Sequence, residues 1–140
     1  MKLQTRQVWP VFMLLVITLL IGTGKVSLAS DEPLPGRLRI HYQRADADYQ
    51  RFGIWSWDEV KSPSTDWPQG AALFTASDSF GVWLDVELLA DAQQVSFLIL
   101  DRISGEKEGG NKMVKLTENQ NQVWVKEGDD NIYDSPELKI

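Results

Sequence analysis

Two indoles stand two residues apart at Trp55-Ser56-Trp57, inside the run Gly53-Ile54-Trp55-Ser56-Trp57-Asp58. The run reads as a β-strand. Side chains alternate faces along a strand, so both rings project from one side with their Cβ atoms about 7 Å apart. Two neighbouring flat apolar faces can stack on something flat, repetitive and partly apolar. A pyranose ring fits, because one of its faces is a patch of C–H groups. The competing reading makes both tryptophans core, since tryptophan is highly buried on average. The alternation favours the first. Phe52, Ile54 and Ser56 fall on the opposite face and can build a core with Val82, Leu84, Val86 and Val95. The two indoles are then spare for a ligand.

Groupings that would carry catalysis are sparse. The chain has one histidine, His41, and no cysteine, and nothing gathers that histidine with a serine and an acid. Asp58 and Glu59 lie beside the tryptophans, and paired carboxylates can cleave a glycosidic bond. Adjacent acids at a strand end are more often solvated charge, and a domain this small rarely builds a deep glycosidase cleft. Asp129-Asp130-Asn131 with Asp134 offers oxygen ligands but lacks the spacing of a calcium loop, so it reads as a polar turn. The expectation is no catalytic residue, no metal and no cofactor.

The elements that must hold the indoles are short and β-like. Residues 37–42 alternate cleanly, 44–51 form a polar turn and 52–58 are the tryptophan strand. Residues 61–69 are a Pro-containing loop. Over 81–88, Val82, Leu84, Val86 and Leu88 share one face. The nearly continuous apolar run 95–100 reads as a central strand. A turn is expected at 105–110, strands at 112–116 and 122–126, and a further turn at 128–131 before Ile132-Tyr133. No sustained 3.6-residue period follows the N-terminal segment. Six or seven short strands with frequent turns predict an all-β antiparallel sandwich of immunoglobulin-like type. Trp83 and Trp124 sit between aliphatic neighbours and read as structural. Trp67, just before Pro68, reads as a cap on one end of the sandwich.

The first 29 residues read as a secretory signal peptide: a basic start, an apolar stretch over 8–22 and the cleavage triplet Ser27-Leu28-Ala29. An uncleaved membrane anchor fits less well, because the apolar run is shorter than the ~20 residues of a span and contains Pro10. Without cysteine, lipidation at a lipobox and disulfides are both excluded. Residues 30–37 form a leader and 38–136 the module. Three of the 14 Lys and Arg lie before residue 30 and all 20 Asp and Glu lie after it, so cleavage deepens the net charge from −6 to −9. Such a surface argues against nucleic acid and anionic membranes as partners and is compatible with a neutral polysaccharide.

Six stretches in order then carry a resemblance. They are Leu38-Arg39-Ile40-His41-Tyr42, Gly53-Ile54-Trp55-Ser56-Trp57, Trp67-Pro68-Gln69-Gly70, Phe80-Gly81-Val82-Trp83-Leu84-Asp85-Val86, Val95-Ser96-Phe97-Leu98-Ile99 and Val123-Trp124-Val125-Lys126-Glu127-Gly128-Asp129. Together they resemble the family 41 carbohydrate-binding modules, α-glucan-binding domains of bacterial pullulanases. The resemblance implies a β-sandwich that binds α-1,4-linked glucose chains of starch, glycogen or pullulan without cleaving them, with Trp55 and Trp57 as the stacking platform. It also implies a lysine and an aspartate from the turn after the long apolar strand, as hydrogen-bonding partners of glucose hydroxyls. Lys107 matches the lysine. The aspartate position falls on Asn111, which keeps hydrogen bonding but loses the charge-assisted contact, and Glu108 is the substitute. The partner expected is an α-glucan or maltooligosaccharide, in a secreted protein. The chain ends seven residues past Tyr133 with no linker or catalytic segment in view. Its literal reading is therefore a free-standing binding protein, with the N-terminal module of a pullulanase-type glycoside hydrolase as the other form. A structural or protein-interaction sandwich without sugar binding is the alternative function.

Overall fold

Alternation along the chain becomes two four-stranded sheets in the computed structural model of the protein, which describes residues 32–117 and 120–136. The expected signal peptide lies outside the described residues. Eight strands form: β1 (Arg37–Gln43), β2 (Phe52–Asp58), β3 (Ala72–Leu73), β4 (Ala76–Ser77), β5 (Val82–Glu87), β6 (Gln94–Asp101), β7 (Lys107–Lys115) and β8 (Gln122–Lys126). The first sheet has the order β4-β5-β1-β8 and the second β3-β2-β6-β7. No helix occurs among the described residues, and the fold is an all-β sandwich.

The core lies between the sheets and is built as alternation predicts. Leu38, Ile40 and Tyr42 of β1, Ile54 of β2, Leu84 and Val86 of β5, and Val95, Phe97 and Ile99 of β6 are all buried. Val114, Val123 and Val125 complete the cluster, with Phe52 and Val82 packed against it. Full burial of each such side chain contributes roughly 1.5–3 kcal/mol, so the inward set fixes the register of every long strand. Residues of opposite parity point out. On β2 these are Gly53, Trp55 and Trp57.

Three expectations are corrected. The sandwich is not wholly antiparallel, because β1 pairs with β8 in parallel, Ile40 opposite Val123 and Tyr42 opposite Val125. The first and last strands thus lie side by side, a pairing that local pattern does not encode. The expected turn at 105–110 is displaced. The chain reverses over 102–106 and β7 already begins at Lys107. The ladder then slips: Phe97 faces Lys112 but Ile99 faces Glu108, so Gly109, Gly110 and Asn111 stand opposite the single residue Leu98. The bulge suits its sequence. Gly109 has φ +73, and a Cβ there would lie 3.1 Å from Asp130 Oδ1. Finally, β3 and β4 are two-residue strands too short to show any alternation.

Candidate functional site

The outer face of the second sheet collects the residues singled out in the sequence. Antiparallel pairing of β2 with β6 sets Trp55 opposite Leu98, Trp57 opposite Ser96 and Gly53 opposite Leu100. Both indoles are half-buried, packed on a small apolar floor of Ala71, Leu98 and Leu100 outside the main core. That contact orients the rings while leaving part of each open to solvent. A strand in the middle of a sheet also holds them more rigidly than a loop would.

Trp67 joins them. Its ring centroid lies 4.9 Å from that of Trp55, with the planes inclined at 66°, an edge-to-face contact. Trp67 is 42% exposed. The loop that carries it is tied down by Gly70 N–H to Asp66 C=O at 2.7 Å, Ala71 N–H to Pro68 C=O at 3.2 Å, and Arg102 Nη2 to Gln69 C=O at 2.6 Å. Its indole edge also meets Gly105, where a Cβ would come within 3.1 Å of Nε1. The sequence reading as an end cap missed this neighbourhood. Ring-to-ring contact depends on how the loop returns over β2, and the Trp67-Pro68 dipeptide alone gives no signal for it.

Lys107 and Asn111 reach the same face from the far side of β6. Lys107 pairs with Leu100, and its Nζ lies 5.7 Å from the centroid of the Trp67 ring, within cation–π range. Along β7, Lys112 and Val114 are buried while Asn111 and Met113 are exposed, so Asn111 lies on the outer side. The bulge sets Asn111 across from Leu98, between the rows of Lys107 and Met113. The face therefore carries polar and apolar side chains on either side of β6, whose outward Leu98 and Leu100 are covered. Tryptophans of β2 and its following loop line one side, and Lys107, Asn111 and Met113 of β7 the other.

Glu108 turns the other way. It pairs with the core residue Ile99, and its Oε2 accepts from the Tyr42 hydroxyl and from Arg44 Nη1, the latter at 3.0 Å. Its Oε1 is buried without a partner. Burial first, and the nearby Glu127 carboxylate second, push Glu108 up to about 7, against the pull of the Gly128 N–H and of Lys112. Arg44 ties this cluster together by also meeting Asp46 and Glu127 and lying 3.8 Å over the Phe52 ring. Glu108 is thus part of an interior polar cluster, and the substitution considered for it at the family aspartate position does not suit the way it points.

The remaining expectations fall on structural groups. His41 is 4% exposed, stacked on Trp124 at 4.6 Å and 7°, and its Nε2 is 2.9 Å from Gln122 Oε1. Asp129 accepts from the Tyr133 hydroxyl at 2.6 Å and from the Asn131 N–H at 2.9 Å. These bonds, Tyr133 foremost, hold it below the usual carboxylate range. No group of three or more His, Cys, Asp or Glu able to hold a metal occurs among the described residues.

A small all-β sandwich with half-exposed tryptophans grouped on the outer face of one sheet has the layout of a binding module. Residues 36–134 match the family described as "Bacterial pullanase-associated domain", and the chain belongs to that family. Pullulanase A of Streptococcus pneumoniae is 35% identical over 116 residues, covering 76% of this chain and 9% of that protein. The chain therefore spans only a small part of the curated relatives it matches. A structure described as α-glucan recognition by family 41 carbohydrate-binding modules from streptococcal virulence factors has a TM-score of 0.69 and 33% identity, over 75% of this chain and 50% of that one. The product complex of a multi-modular glycogen-degrading pneumococcal virulence factor gives a TM-score of 0.69 and 33% identity, over 75% of this chain and 11% of that one. The resemblance drawn from the six motifs is the family that these matches define.

Proposed function

We propose that this domain binds α-glucans, the α-1,4-linked glucose chains of starch, glycogen or pullulan, and does not cleave them. The observation that carries the reading is the outer face of the β2 sheet, where Trp55 and Trp57 share one side of a rigid strand and Trp67 abuts Trp55. Stacking buries the C–H faces of successive glucoses and supplies most of the affinity. Rings inclined to one another suit the curvature of an α-1,4 chain and disfavour a flat cellulose ribbon. Lys107 and Asn111, across β6 on β7, donate hydrogen bonds to glucose hydroxyls, Lys107 with a full charge and Asn111 without. Trp67 adds a third ring beside Lys107. A shallow, open binding face gives modest affinity, micromolar to millimolar for short maltooligosaccharides. The module is immunoglobulin-like, follows a signal peptide over 1–29, and acts outside the cytoplasm. It works alone or as the N-terminal part of a pullulanase-type glycoside hydrolase, holding substrate near the enzyme.

Affinity electrophoresis with soluble starch or pullulan in the gel tests this. Retardation of the wild-type protein, relieved by Trp55→Ala and Trp57→Ala, is the expected result. Unretarded wild type at high polysaccharide contradicts glucan binding and leaves a structural or protein-interaction role. Release of reducing sugar from pullulan by the pure protein would contradict the non-catalytic part.

A further inference from the structure

Met113 is 50% exposed on β7, in a strand whose other outward residues are polar or glycine. The ladders place it in one cross-strand row with the platform: Trp57 pairs with Ser96, and Ser96 pairs with Met113. Two strand spacings separate Trp57 from Met113, about 10 Å between their backbones. The residue between them, Ser96, is small and 7% exposed, so the larger Trp57 and Met113 side chains stand above it on either side. The polar groups at the rim are fixed. Asp58 accepts from Ser96 Oγ and, at 3.2 Å, from Gln94 Nε2. Gln94 in turn pairs with Lys115, two residues along the strands from the Ser96–Met113 pair. Asp58 has φ +73, a conformation uncommon for a non-glycine residue. It stands next to Trp57 with its carboxylate already engaged toward the outer face.

We infer that Trp57, Ser96 and Met113 form a further pyranose subsite, so that a long α-glucan leaves the tryptophan platform across the sheet toward β7. The subsite rests on the glucan reading above and extends it. One sugar ring lies over Ser96 with a C–H patch against Trp57 and another against the Met113 thioether. Met is apolar, flexible and polarisable, which suits a contact that must adapt to a helical chain. The carboxylate of Asp58 accepts from hydroxyls at the ring edge. Because Met113 lies off the line from Trp55 to Trp57, a short ligand stacked along that line does not reach it. Oxidation of the thioether to the sulfoxide would replace an apolar contact by a polar one.

The chain has three methionines, Met1, Met13 and Met113, which makes a direct probe available. With methyl-13C methionine, the signal lost in Met113→Leu identifies Met113. Saturation with maltoheptaose is expected to move that methyl signal, and maltotriose to move it little. Met113→Ala should weaken maltoheptaose binding several-fold and maltotriose binding less than twofold, with unchanged thermal stability because the side chain is exposed. Met113→Leu should retain most of the affinity. The subsite is overturned if maltoheptaose shifts the Trp55 and Trp57 indole signals while the Met113 methyl stays still. Equal affinity of Met113→Ala and wild type for both sugars overturns it too. If no sugar moves any indole, the glucan reading itself has failed, a result distinct from failure of the subsite alone.

Discussion

The two outer faces of the sandwich both carry tryptophans in the same sequence setting, yet they differ in what lies on the rings. On the β1 sheet, Trp83 has the Arg39 guanidinium 3.6 Å over its ring, and Arg39 is held by Asp85 at 2.7 and 3.0 Å. Trp124 is stacked on the buried His41. On the β2 sheet, Trp55 and Trp57 rest on Leu98, Leu100 and Ala71, and the charged neighbour, Lys107, stands off at 5.7 Å over Trp67. A guanidinium held over one indole and an imidazole stacked on the other each occupy a ring face a sugar would use. Tryptophan at an outward position is therefore not itself a binding signal. What distinguishes the faces is whether the protein has already stacked something on the ring.

Exchanging the two faces by mutation should give the largest and opposite effects. Trp55→Ala or Trp57→Ala should each weaken maltoheptaose binding by about 30-fold, the equivalent of ~2 kcal/mol of stacking area, with a modest fall in melting temperature from uncovering Leu98 and Leu100. Trp83→Ala or Trp124→Ala should do the reverse, costing roughly 2–4 kcal/mol of stability, as large aromatic truncations do, while affinity stays within about twofold. Calorimetric titration and thermal melts of the four variants measure both. If all four lose binding alike, the contrast between the faces is wrong.

Lys107→Ala should weaken binding about tenfold, the range of a charge-assisted hydrogen bond, whereas Lys112→Ala on the inward side of the same strand should act on stability. Asn111→Asp should tighten binding a few-fold by restoring an ionised acceptor. No gain would mean that the bulge holds position 111 away from the sugar.

The smallest effect belongs to the interior cluster. Unfolded, Glu108 releases its proton near 4.5, but folded it holds it up to about 7. Between those values the folded state binds more protons, so this group makes stability fall as pH rises from about 4.5 to about 7. Melts should be a few degrees lower at pH 7.5 than at pH 5 from this source, and Glu108→Gln should flatten that slope.

How much of this the sequence shows depends on range. β1, β2, β5 and β8 follow from alternation, because a one-residue slip would expose the inward set, and β6 from its nearly continuous apolar run, which is buried on both faces. The inward set of Phe52, Ile54 and Ser56, and the outward pair of Trp55 and Trp57, were legible for the same reason. Gly109-Gly110-Asn111 looks like a turn because glycine pairs usually make one. Here the same glycines make a bulge inside β7, which puts Lys107 and Asn111 on a strand. The parallel β1–β8 pair and the contact of Trp67 with Trp55 join residues far apart in sequence, and no local period reports them. The charge partners that cover Trp83 and Trp124 lie on neighbouring strands, so the contrast between the faces also needed the folded ladder.

The most direct test reads each indole separately. Of the six tryptophans, Trp9 lies in the N-terminal segment, leaving five indole N–H signals from the sandwich, assignable by single Trp→Phe variants. Adding maltoheptaose should move those of Trp55, Trp57 and Trp67 and leave those of Trp83 and Trp124 in place. Movement of Trp83 or Trp124 instead, or of none of the five at millimolar sugar, would contradict the assignment of the β2 face as the glucan-binding surface.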